Sequence, residues 1–248
     1  MLAIIGGSGL TRLSTLEVAR REVVRTPYGE PSSALVFGRV GGHDVVFLAR
    51  HGHGHTIPPH RVNYRANLWA LKARGVTSVL AVASVGAIAG EYAVGDLVLP
   101  HQLIDYTSGR EHTFFDGGDR EVVHIDFTHP YTAQLRERCL AAARSAKIPV
   151  HDSGVYAAVC GPRLETAAEI DRLARDGATV VGMTGMPETA LARELGVEYA
   201  AIAVVVNHAA GRGDSALAIS MTRIVGVLET AMDKVRLLID QVLKEEAS

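Results

Sequence analysis

Hydrophobic positions along this chain fall mostly into short uninterrupted runs. Residues 2–5, 44–49, 78–83, 97–99, 155–159, 179–182 and 199–206 have strand length and are rich in Val, Ile and Ala. That composition is typical of strands covered on both faces. Between several of these runs the period changes to that of an amphipathic helix, over residues 64–74, 131–146, 166–176, 187–195 and a long final segment, 220–246. Such alternation predicts an α/β fold in which helices flank a mixed, mostly parallel β-sheet and ligands sit beyond the carboxyl ends of the strands. No stretch has linker composition, so the expectation is a single domain over 1–248. The polar, Gly-rich segment 211–215 is expected to be a mobile loop.

Composition narrows the range of partners. The hydrophobic fraction is 48%, yet no run approaches the length of a membrane span. A net charge of -2, with no basic run, offers no attraction for nucleic acid or an anionic membrane. A small-molecule substrate is therefore expected. The apolar start, Met1-Leu-Ala-Ile-Ile-Gly-Gly, has no basic flank or cleavage site and reads as a strand. Cys139 and Cys160 lie far apart, match no metal-ligand spacing and are too few for a disulfide framework, which points to a reducing, cytoplasmic setting.

The segments that follow strands carry the candidate chemistry. Gly6-Gly7-Ser8-Gly9 follows the first run, where glycines let backbone N–H groups approach an oxyanion or simply make a tight turn. It matches neither the dinucleotide fingerprint nor a P-loop. Arg50-His51-Gly52-His53-Gly54-His55 follows the second strong run, and continued alternation would place His51, His53 and His55 on one face. A metal site lacks a partner motif, whereas a guanidinium at a strand's carboxyl end suits an oxyanion because it forks onto phosphate. A solvated His-rich loop is the plainer alternative. Gly161-Pro-Arg-Leu-Glu-Thr166 stands between a strand and a helix, which brings Arg163 and Glu165 to the ligand edge. There Glu165 accepts from a substrate N–H, or Glu165 and Thr166 merely complement the helix N-terminus. Asn207 ends a buried run, so its carboxamide needs a ligand or loop backbone as partner.

Taken together, Ile4-Ile-Gly-Gly-Ser-Gly-Leu10, Leu48-Ala-Arg-His-Gly52, His55-Thr-Ile-Pro58, Val62-Asn-Tyr-Arg-Ala-Asn67, Gly161-Pro-Arg163 and Met183-Thr-Gly-Met-Pro-Glu188 resemble the trimeric purine nucleoside phosphorylase family in order and approximate spacing. Within that family they resemble its 5'-methylthioadenosine phosphorylase branch. The resemblance spans nearly the whole chain. It implies a phosphorolytic glycosyltransferase that needs inorganic phosphate as co-substrate and no cofactor or metal. By the same resemblance, Ser8, Arg50, His51 and Thr184, with the backbone around Ala83 and Ser84, correspond to phosphate-binding positions, and His55 is a further candidate. Met183 matches the residue against the ribose, and Leu164 occupies a base-packing position where relatives often carry phenylalanine.

Base preference is implied at Asn207, Ala209 and Glu165. The methylthioadenosine branch carries aspartates where Asn207 and Ala209 stand here. An asparagine suits N7 and O6 of a 6-oxopurine, and the 6-oxopurine branch uses a glutamate at the position of Glu165 to accept from N1–H. At the 5' end, Met221 stands where the resemblance has inosine and guanosine enzymes place a histidine for the 5'-hydroxyl, with Ile224 one turn on. An apolar pair there suits a methylthio group, or serves only as packing for the final helix. The combination implies phosphorolysis of S-methyl-5'-thioinosine to hypoxanthine and 5-methylthioribose 1-phosphate, with Asn207, Glu165 and His51 as catalytic residues. Alternatives are a methylthioadenosine phosphorylase, an inosine/guanosine phosphorylase, and a non-catalytic purine-binding regulatory protein on the same fold. The family further implies a homotrimer, in which His124 aligns with a residue lent to the neighbouring subunit's 5' pocket.

Overall fold

The structure is a computed structural model that describes residues 1–11, 13–118 and 121–245. In chain order its elements are β1 (Leu2–Gly6), β2 (Glu17–Glu22), β3 (Leu35–Val40), β4 (His43–Ala49), α1 (Tyr64–Ala73), β5 (Ser78–Ala87), β6 (Leu97–Val98) and β7 (Gln102–Asp105). These are followed by α2 (Ala133–Ser145), β8 (Val155–Ala158), α3 (Ala167–Arg175), β9 (Val180–Gly182), α4 (Gly185–Glu194), β10 (Glu198–His208) and α5 (Met221–Glu245). Glu246, expected to end the last helix, lies outside the described residues.

The strands form one mixed sheet in the order β2-β3-β4-β1-β5-β9-β8-β7, with β10 pairing β5 and β6. Parallel pairs dominate its middle: β1 with β4 and β5, and β10 with β5. Every residue of β1 is buried because helices cover both faces there. Side-chain alternation divides the core accordingly. Leu2 and Ile4 of β1, Leu80 of β5 and Ile202 of β10 pack against Cys139 of α2 and Leu238 of α5. Ala3, Ile5 and Ala201 face the opposite way, onto Leu68 of α1 and Leu191 of α4.

Every predicted run contains a strand and every predicted helix is present, with ends within a few residues of expectation. β2, β3 and β7 were not expected. β2 reads Glu-Val-Ala-Arg-Arg-Glu and is exposed along nearly its whole length, so it has no apolar face to betray it. Its charges suit an edge strand, which must not offer itself to another chain. In β3 the apolar run is interrupted by Gly38 and Arg39, and β7 is a short, half-exposed segment beside β8. The segment expected to be a mobile loop contains a 3-10 turn over Gly213–Ser215, closed by Gly211 N–H donating to Ser215 O at 3.1 Å, with Ser215 buried.

Leu80 is fully buried in β5, among side chains of β1, β10 and the helices. Leu80→Ala is expected to destabilise the fold by about 2–5 kcal/mol, lost transfer plus residual cavity, read as a lower denaturation midpoint in urea.

Candidate active site

The carboxyl ends of the central strands open into a cavity of about 330 Å³. Gly7 and Ser8 reach it from the end of β1, and Arg50 and His51 from the end of β4. Ala83 and Ser84 lie in β5, while Met183 and Thr184 follow β9. Leu164 and Glu165 come from the loop before α3, and Met221 and Ile224 from the start of α5.

At Asn207 the sheet itself changes. The β10–β5 pairing runs Val205↔Val85 and then Asn207↔Gly86, so Val206 is an extra, bulged residue. In consequence the neighbours Val206 and Asn207 both line the cavity instead of pointing to opposite faces. Asn207 Nδ2–H donates to its neighbour's carbonyl, His208 O, at 2.6 Å, which supplies the backbone partner a buried carboxamide needs. Oδ1 and the second Nδ2–H remain for a ligand.

Two of the expected residues lie elsewhere. His124 is exposed in the segment between β7 and α2 and does not line the cavity. Ala209 is 1% exposed and packs with Ile88, Ile170 and Val181 beside α3, its N–H donating to Ala87 O at 2.8 Å. With one methyl group it stays in this packing and has no reach into the cavity.

Arg50 is where the sequence-based expectation needs correcting. Its fork is already taken: Nε and Nη2 each donate to the Glu188 carboxylate at 2.7 Å, and Nη1 donates to Val82 O at 2.9 Å. Arg50 is 1% exposed, and a guanidinium so buried requires a counter-charge. Burial opposes its charge, but the Glu188 carboxylate prevails and holds it protonated. Of its five N–H groups, one on each Nη is left for an anion. A Cβ on Gly7 would lie 2.6 Å from Val82 O and 3.0 Å from Arg50 Nη1, so the turn after β1 admits no side chain there without moving the β5 backbone that Arg50 bonds.

The histidines do not share a face. The strand stops at Ala49 and turns follow. His51 is buried with Nδ1 2.8 Å from Ile57 O, a contact in which a carbonyl only accepts, so the proton sits on Nδ1 and Nε2 offers a lone pair. Burial, helped by the Arg50 charge, lowers its pKa from 6.5 to about 4. His55 packs its ring on His51 with centroids 4.4 Å apart and sits 3.5 Å from Ser8 Oγ, whereas His53 is exposed and lines a different cavity. Among the described residues no group of His, Cys, Asp or Glu side chains is placed to hold a metal ion.

On the base side, Thr166 caps α3 in a reciprocal box with Glu169, and Arg163 pairs with Glu169 at 2.8 Å. These contacts use Thr166 and Arg163 for structure and leave Glu165 to the cavity, where burial raises its carboxyl pKa above the usual range. Gly161 has φ +60, and a Cβ there would lie 2.3 Å from Met183 Sδ, so only glycine leaves Met183 its place on the cavity wall. The Ser84 hydroxyl is buried with no hydrogen-bond partner among the described residues, an orphan group that a bound ligand would satisfy.

Sequence reasoning missed Glu188, Tyr199 and Arg110. Glu188 is fully buried in α4 and accepts from Tyr199 Oη as well as from Arg50. Its signal was present, a lone acid in the apolar run 178–192. Arg110 gave no local signal. Its guanidinium donates to the carbonyls of Met186 and Cys160, tying together the two loops that bring Met183 and Glu165 to the cavity.

The family model of the Phosphorylase superfamily matches residues 1–244. The chain belongs to that superfamily. It is a glycosyltransferase of the purine nucleoside phosphorylase type. This phosphorylase is 53% identical over 241 residues to a probable S-methyl-5'-thioinosine phosphorylase of Pseudomonas syringae pv. tomato, with 97% of each chain covered. It is 45% identical to a probable 6-oxopurine nucleoside phosphorylase of Thermococcus kodakarensis, over 96% of this chain and 90% of that one. Among solved structures it is similar to methylthioadenosine phosphorylase from Schistosoma mansoni in complex with adenine, with TM-score 0.95 and 32% identity, covering 99% of this chain and 91% of that one.

A histidine held neutral by burial stabilises this phosphorylase above pH 6.5 and loses that contribution as pH falls toward about 4. Urea unfolding across this window is expected to show stability declining on acidification more steeply in the wild type than in His51→Gln, by up to about 1.4 kcal/mol per pH unit. Equal slopes would show that His51 takes up its proton in the fold as readily as in the unfolded chain.

Proposed function

We propose that this phosphorylase cleaves S-methyl-5'-thioinosine with inorganic phosphate, giving hypoxanthine and 5-methylthioribose 1-phosphate. The observation that carries the reading is the pairing, in one cavity, of a carboxamide at Asn207 and a carboxylate at Glu165 with an apolar end formed by Met221, Ile224 and Leu228. A 6-oxopurine offers N1–H to Glu165 and an acceptor, N7 or O6, to the remaining Nδ2–H of Asn207. Adenine would turn an N1 lone pair toward the carboxylate and leave it unpaired. The N1–H bond also offsets the burial that disfavours the Glu165 charge. The methylthio group needs no hydrogen bond and fits the apolar end.

In the reaction the C1'–N9 bond breaks and its electron pair moves into the purine, where the remaining Nδ2–H of Asn207 stabilises the developing charge at N7 or O6 until the base takes up a proton from water and leaves as hypoxanthine. A phosphate oxygen then bonds to C1' from the opposite face. The phosphate is held by Ser8, by Thr184 and the orphan Ser84 hydroxyl, by the two free N–H groups of Arg50, and by His51 Nε2, which accepts a hydrogen bond from P–OH. Proximity and leaving-group stabilisation supply the rate, with no cofactor in the scheme.

The family resemblance implies a homotrimer in which a neighbour completes the 5' pocket, and exposed apolar groups at the start of α5 support a subunit contact there. Met221 is 62% exposed and Val225 57% exposed. That His124 is lent to a neighbour rests on the same resemblance; the residue is exposed and outside its own cavity. Two free cysteines fit a cytoplasmic enzyme, and among the described residues no helix is long and apolar enough to cross a membrane.

Phosphate-dependent base release from methylthioinosine, methylthioadenosine and inosine, compared by kcat/KM, tests the reading. Methylthioinosine is expected to be the best substrate. Asn207→Asp is expected to lower its kcat/KM by roughly 10- to 100-fold, the cost of one unpaired polar contact, and to narrow the gap to methylthioadenosine. A wild-type preference for methylthioadenosine would refute the base assignment, and a preference for inosine would refute the apolar 5' pocket.

A further inference from the structure

The ion pair of Arg50 with Glu188 has both partners out of water, with side chains 1% and 0% exposed. Buried pairs of this kind add little to stability over apolar side chains of the same volume. Their value lies in direction, and here every available contact fixes direction. The two 2.7 Å bonds from Nε and Nη2 set the plane of the guanidinium, and the 2.9 Å bond from Nη1 to Val82 O stops it from sliding along the carboxylate. The carboxylate is itself held. Tyr199 Oη donates to Glu188 Oε1 at 2.7 Å, and the Tyr199 ring stacks on Tyr131 with centroids 6.2 Å apart. β10 carries Tyr199, α4 carries Glu188 and Arg50 follows β4, so the chain Tyr199–Glu188–Arg50 runs from the sheet core to the cavity.

We propose that Glu188, held by Tyr199, is the positioning residue for the phosphate co-substrate: it aims the two remaining N–H groups of Arg50 at the anion and balances the guanidinium charge beforehand. The anion is then recognised by the direction of N–H and O–H donors rather than by net positive charge. The inference rests on the reading that Arg50 faces phosphate, and it adds a residue that does not line the cavity.

Steady-state kinetics with phosphate and nucleoside varied independently test it. Tyr199→Phe, which frees the carboxylate but keeps the ring, is expected to raise the KM for phosphate roughly 3- to 10-fold while the KM for nucleoside changes less than about twofold. Glu188→Gln is expected to raise the phosphate KM by about tenfold or more, with the same selectivity. Arg50→Lys separates the two layers of the argument. If it leaves the phosphate KM unchanged, the reading of Arg50 as a phosphate ligand falls and takes the proposal with it. If Arg50→Lys raises the phosphate KM but Tyr199→Phe and Glu188→Gln do not, or raise both KM values alike, the proposal alone is overturned. A lower phosphate KM in Glu188→Gln also overturns it, since Glu188 would then be weakening the charge rather than aiming it. Should Glu188→Gln fail to fold, the phosphate KM of Tyr199→Phe decides by itself.

Discussion

β5 hydrogen-bonds with β1, β10 and β9, and this shared strand is the constraint on which the site depends. β1 and β10 run parallel to it on either side, so their carboxyl ends, together with that of β4 beside β1, must finish on the same edge of the sheet. β9 then joins the far end of β5 antiparallel, through Gly86 and Ala87, and brings in Met183 and Thr184 from across the cavity. Groups more than 100 residues apart in sequence, such as Ser8 and Thr184, meet because their strands share one hydrogen-bonding partner. A parallel sheet of this kind needs helices on both faces, which explains the high apolar content and the two-sided core.

Within that frame the polar groups divide into those that face the cavity and those that hold them in place. Glu169 and Thr166 cap α3, Arg163 closes on Glu169, and Glu165 between them is left to the cavity. Arg110 pulls on the carbonyls of the two loops from behind, and Glu188 holds Arg50. Arg50, His51 and Asn207 thus take their orientation from the protein, while the Ser84 hydroxyl and the Glu165 carboxylate are left for a ligand. At the three held side chains little conformational freedom remains to be lost when substrate binds.

The sequence revealed the parallel core and the cavity's strand-end residues because both are local signals: Val- and Ile-rich runs followed by Gly, Arg, His or Asn. The edge strands were hidden because β2 has no apolar face, and the supporting residues because their partners are distant in sequence. Nothing near Arg50 announces Glu188, and nothing near Arg110 announces the carbonyls it holds. The pattern around His51, His53 and His55 misled for a related reason. Alternation describes side chains only while a strand continues, and glycines with positive φ at 52 and 54 turn the chain instead. Ala209 was singled out because the methylthioadenosine branch carries an aspartate at its position, but here the strand has ended by then and its methyl belongs to the core.

The bulge at Val206 bears on how this chain is compared with others. Before it, residues of β10 that share a face are separated by an even count; across it, that count is odd. Two sequences aligned through β10 with a gap misplaced by a single residue would therefore match a cavity residue with a core residue while every apolar identity around them still looked sound. Inferring base preference from an alignment here requires anchoring on the structural irregularity itself, because the surrounding valines and alanines are too alike to fix the count.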